Sequence, residues 1–118
     1  MPAEFEAHRD FSIMHINIQG LLSHCAELVA RLRLLRSAPH ILCLNETFLD
    51  CSVGEVVIEG YACVARRDRR DGRRGGGVAV YALREVSQQV TLLAESVAAE
   101  RLWLMLHLHQ GPHLLCAW

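Results

Sequence analysis

Residues 11–46 read FSIMHINIQGLLSHCAELVARLRLLRSAPHILCLNE, and the change of period inside this stretch decides the fold. Over residues 11–18, Ile13, His15 and Asn17 share one face and Ser12, Met14, Ile16 and Ile18 the other, which reads as a buried strand. Gly20 breaks it. From 21 to 36 the apolar residues Leu21, Cys25, Leu28, Leu32 and Leu35 recur at steps of four and three, with His24, Glu27, Arg31 and Arg33 opposite. Two heptads make a poor coiled coil, so this helical stripe is expected to be a core contact. Pro39 ends the element, and residues 40–46 form a second apolar strand. Strand, helix, strand with short connections is the crossover unit of a parallel pair. Asn17 and Glu46 then both fall at strand C-terminal ends on one edge of the sheet, where open α/β sheets bind ligands.

Downstream the pattern changes to short strands and turns. Residues 56–58 read as a short strand and Gly60 as a turn. Residues 61–66 and 77–84 form a hairpin around an Arg- and Gly-rich tip at 67–76, and 86–93 is a weaker strand. Over 101–109, Leu102, Leu104, Leu106 and Leu108 alternate with Trp103, Met105, His107 and His109. Gly111-Pro112 turns the chain into a last apolar run at 113–118. One crossover followed by antiparallel strands predicts an α+β sandwich in a single domain.

The composition excludes several classes. With 52% hydrophobic residues the chain is not disordered by composition, and no apolar run approaches the ~20 residues of a membrane span. The N-terminus carries Glu4 and Glu6 where a signal peptide would carry base, so an intracellular protein is expected, the nucleus included. Five cysteines form no CxxC pair, which indicates neither a zinc ribbon nor a disulfide framework; Cys43 and Cys116 read as small core residues. His107, His109, His113 and Cys116 match no common structural zinc spacing. The Gly72–Gly77 stretch is no P-loop: it precedes a strand, and the chain contains no Lys.

Two features carry chemistry. Net charge is −1, yet all twelve basic residues are Arg and six lie between Arg66 and Arg74. Arg67, Arg69, Arg70, Arg73 and Arg74 are the candidate nucleic-acid contacts, because a local cluster steers a polyanion even on a near-neutral chain. A solvated loop of mutually repelling charges is the alternative. At the sheet edge, a carboxylate (Glu46) and a carboxamide (Asn17) suit a hard divalent cation and its phosphate ligand. Equally, Glu46 can cap a loop while Asn17 ends its strand with a turn hydrogen bond.

An ordered series of motifs then points to a family. His15-Ile-Asn-Ile-Gln-Gly-Leu21 is followed by Ile41-Leu-Cys-Leu-Asn-Glu-Thr-Phe-Leu49, Gly60-Tyr61, Arg66-Arg-Asp-Arg69 and Gly75-Gly-Gly-Val-Ala-Val-Tyr81. The series resembles the apurinic-like endonuclease domain of LINE-type (non-LTR) retrotransposons, in the endonuclease/exonuclease/phosphatase superfamily. The resemblance implies a four-layer α/β/β/α sandwich, truncated here to its N-terminal half at residues 11–118 after an extension at 1–10. It implies Mg²⁺-dependent hydrolysis of a DNA phosphodiester, with Mn²⁺ as the alternative ion. Glu46 matches the family's metal-binding glutamate, and Asn17 the asparagine at its phosphate and metal site. The implied partners are DNA, the remainder of the domain and the element's reverse transcriptase. The family's Tyr-Arg-Pro-Pro, Gly-Asp-Phe-Asn and Ser-Asp-His segments do not occur in these 118 residues. The water-activating aspartate, its partner asparagine and the phosphate-binding histidine are thus missing, and the isolated chain is expected to be inactive. A non-catalytic nucleic-acid-binding module built on the Arg/Gly hairpin is the competing expectation.

Overall fold

In the computed structural model, residues 11–69, 75–96 and 100–118 are described. Strand β1 (Ile13–Asn17) leads into helix α1 (Leu21–Leu34) and then strand β2 (Ile41–Asn45). Strands β3 (Tyr61–Arg67) and β4 (Val78–Leu83) follow, then a 3-10 segment (Arg84–Gln89) and strands β5 (Val90–Glu95), β6 (Leu102–Leu108) and β7 (Gly111–Ala117).

The crossover expected from residues 11–46 is present. β1 and β2 pair in parallel from Ile13 opposite Ile41 to Asn17 opposite Asn45. α1 starts after Gly20, whose φ of +107° a side chain would rarely adopt, and stops at Leu34 with Arg31 and Arg33 in its last turn, where positive charge suits the carbonyl end. β4 pairs antiparallel with both β2 and β3, so the first sheet runs β1-β2-β4-β3. The second sheet is the antiparallel meander β5-β6-β7.

Alternation along the central strands builds two cores. Leu42, Leu44, Ala79 and Tyr81 face α1 and pack with Leu21 and Leu28. Ile41, Cys43, Val78, Val80 and Ala82 face the other way, onto Leu102, Leu104 and Leu106 of β6. The described residues thus form a helix, sheet, sheet stack of the α+β class. Both tyrosine hydroxyls in the first core are satisfied: Tyr81 donates to Val56 O (2.7 Å) and Tyr61 to Pro39 O (2.6 Å). No helix among the described residues is long and apolar enough to cross a membrane.

Four local expectations are corrected. Residues 56–58 form no strand; Val56 and Ile58 are buried, but the carbonyls of Val56 and Val57 go to the side chains of Tyr81 and Cys25. The strand expected at 86–93 begins only at Val90, because the chain first passes through the 3-10 segment. The last strand begins at Gly111, so Gly111-Pro112 belongs to β7 and not to the turn before it. β1 is half-buried: Met14, Ile16 and Ile18 pack on the helix-side core, while Ile13, His15 and Asn17 are exposed.

Candidate functional site

One edge of the first sheet collects four chain segments. In the ladder Asn17 pairs with Asn45, Asn45 with Val78, and Val78 with Arg67. The parallel pair therefore ends where the β3–β4 hairpin turns, and Glu46 shares its edge with the Arg/Gly-rich tip. Backbone hydrogen bonds stitch these segments together. Gly20 N–H donates to Glu46 O (2.9 Å) and Leu21 N–H to Thr47 O (2.9 Å). On the other side Thr47 N–H donates to Gly77 O (3.3 Å) and Phe48 N–H to Gly76 O (2.9 Å).

This stitching holds an uncommon backbone. Gln19, Glu46 and Phe48 have φ of 48°, 57° and 59°, in the left-handed region that residues with a Cβ seldom occupy. Such conformations persist only where the surroundings over-determine them, and they cluster at functional sites. The tip glycines answer a steric demand. A Cβ on Gly77 would overlap the Thr47 hydroxyl, and one on Gly76 would overlap the Arg69 guanidinium.

Glu46 is half-buried, and no hydrogen bond or ion pair among the described residues engages its carboxylate. Beside it, Asn45 Oδ1 is buried without a hydrogen-bond partner, a costly state for an amide oxygen. Asn45 and Glu46 line a cavity of about 770 Å³ between the two sheets, with His15, Cys43, Arg69 and Glu100. Asn17, aligned with Asn45 in the ladder, stands at the exposed end of β1 outside that lining. Sequence reasoning missed Asn45 because it closes an apolar strand, and Glu100 because nothing in its neighbourhood marks it.

The arginines of the tip divide. Arg66 donates to both carboxylate oxygens of Asp68 (2.8 and 2.9 Å) and to the carbonyls of Asp50, Val53 and Gly54, so it ties down the 50–54 loop. Arg67 pairs with Glu95 of β5 (3.0 Å), and its side chain is 12% exposed. Arg69 pairs with Glu100 (2.8 Å), whose other oxygen accepts the Gly77 N–H (2.7 Å). Arg67 and Arg69 thus fasten the first sheet to the second, where open phosphate contacts were expected. Arg70, Arg73 and Arg74 lie outside the described residues.

The donor set suits some cations and not others. One carboxylate beside the single amide oxygen of Asn45 could hold a hard ion that keeps most of its waters, such as Mg²⁺. Among the described residues no group of three or more His, Cys, Asp or Glu side chains is gathered so as to hold a metal ion. His107 Nε2 contacts the Thr91 hydroxyl (3.1 Å) and His113 Nδ1 the Gly111 carbonyl (3.0 Å). Burial pushes the Cys43 thiol up to about 11, so it offers the cavity neither a thiolate ligand nor a nucleophile at neutral pH. No family model matches the sequence, and no curated protein matches it.

Proposed function

We propose that this edge is the metal- and phosphate-binding part of a Mg²⁺-dependent DNA endonuclease domain of the LINE type, built as a four-layer sandwich. The observation that carries the reading is the Glu46 carboxylate, left without a partner on a strained strand end beside an orphaned Asn45 amide oxygen. A buried amide oxygen with no partner is expensive to keep unless something binds it. Glu46 would hold the cation, Mg²⁺ or Mn²⁺, Asn45 would orient one of its waters, and Asn17 would meet a phosphate oxygen. The cation, when bound, neutralises charge on a phosphodiester oxygen.

The segments that take a proton from the attacking water in the resembling family do not occur among these 118 residues. On this proposal these 118 residues bind DNA through the cation without cutting it; Mg²⁺-dependent nicking of supercoiled plasmid above background would contradict this. The binding-module reading loses two of its contacts, since Arg67 and Arg69 are engaged by Glu95 and Glu100. The test is duplex DNA affinity by fluorescence anisotropy, with and without Mg²⁺. Mg²⁺ should tighten binding by the wild-type chain, and Glu46→Gln should remove that increment. An equal increment in the variant would refute the proposal.

A further inference from the structure

Phe48 is 46% exposed, two residues beyond Glu46, and its φ is 59°. An exposed phenyl ring on a left-handed backbone combines two unfavourable choices. The ring does not float free. A Cβ on Gly20 would stand 3.4 Å from Phe48 Cδ2, and a Cβ on Gly75 would stand 3.4 Å from Phe48 Cε1. The ring thus lies within reach of both glycine positions, and the Phe48 N–H donates to Gly76 O. That same point above Gly75 is 3.8 Å from Glu46 Oε1, so ring and carboxylate flank one spot. Part of the ring's surface is open to solvent beside the candidate phosphate site.

We infer that Phe48 is a stacking platform for a nucleobase that has left the duplex stack, next to the phosphate bound at Glu46. The inference rests on the DNA-phosphate reading of this edge and adds a substrate preference to it. Every base has a π face, so an aromatic surface accepts any of them, whereas a paired and stacked base cannot reach it. The site should therefore favour DNA carrying an unpaired nucleotide. The ring supplies selection for the open base.

The probe is a short duplex with one unpaired nucleotide, compared with its fully paired counterpart, in Mg²⁺. The readout is the ratio of the two affinities for the full chain. Wild type should prefer the unpaired substrate about tenfold. Phe48→Trp should keep the preference, while Phe48→Ala and Phe48→Leu should bring the ratio near one. Leu retains apolar packing against the glycines, so it carries the test if the Ala variant does not fold. A preference that survives in Phe48→Leu, or a wild type without one, overturns the platform. If Mg²⁺-dependent binding responds to Glu46→Gln but the ratio ignores Phe48, this inference fails and the phosphate site stands. If the wild type binds neither duplex, both fall.

Discussion

Gly77→Ala should damage the chain through two separable causes. Gly77 sits at φ +96°, where a residue with a Cβ is strained by about 1–3 kcal/mol. The new methyl would also overlap the Thr47 hydroxyl, and Thr47 is fully buried and hydrogen-bonded through its N–H to Gly77 O, so it cannot simply move aside. Overpacking of that kind costs about 1–3 kcal/mol more. The expected total is about 2–6 kcal/mol, against the roughly 5–15 kcal/mol that holds a domain folded. Urea titration followed by tryptophan fluorescence reads the loss. Thr47→Ala in the same chain should recover the overlap and leave the backbone strain, because the Thr47 hydroxyl has no hydrogen-bond partner to forfeit. The double-mutant coupling should then be about 1–3 kcal/mol. A Gly77→Ala cost below about 1 kcal/mol, or a coupling near zero, would refute the claim that the tip glycines exist to let the β4 backbone lie on the Glu46 loop.

The remaining expectations test other parts of the structure. Leu104 is fully buried between the sheets while Leu93 is half-exposed on β5, so Leu104→Ala should cost about 2–5 kcal/mol and Leu93→Ala about 0.5; similar losses in denaturant titrations would mean that the sheets do not pack as described. Burial raises the Cys43 thiol from 9.0 to about 11, so the stabilisation it carries is intact below pH 9 and fades as pH rises towards 11. Cys43→Ser should flatten that alkaline loss, and an unchanged pH profile would refute it. Leu114 and Trp118 are exposed on and beside β7, whose outer edge meets no further strand among the described residues. Concentration-dependent association is expected, and Leu114→Arg should reduce it in light scattering. Equal association in the variant would place the contact elsewhere.

The parts of this fold legible in the sequence are those governed by short-range periodicity. Leu21, Cys25, Leu28 and Leu32 announce the helix, and a helix between two apolar strands forces the parallel pairing that puts Asn17 and Glu46 at one edge. The insertion of β4 between β2 and β3 depends on which strand edge the returning hairpin meets, a contact across more than thirty residues. Residues 56–58 imitate a strand because Val56 and Ile58 are both pulled into the core while Val57 faces solvent. Burial alternates there without a partner for the backbone. Charge alone marks the Arg cluster in the sequence, and charge does not say that Glu95 and Glu100 arrive from the second sheet to take Arg67 and Arg69. Asn45 was hidden for a related reason. A terminal asparagine of an apolar strand is ordinary until the structure leaves its oxygen buried and unpaired.

The central claim is that Glu46 and its amide neighbours hold a hydrated divalent cation. Paramagnetic broadening of backbone amide signals on titration with Mn²⁺ measures this directly. The account predicts that the amides of Asn17, Asn45 and Glu46 broaden first, that Mg²⁺ competes the effect away, and that Glu46→Gln abolishes it. Broadening centred on His107, His109 and His113, or broadening at the edge that persists unchanged in Glu46→Gln, would contradict it.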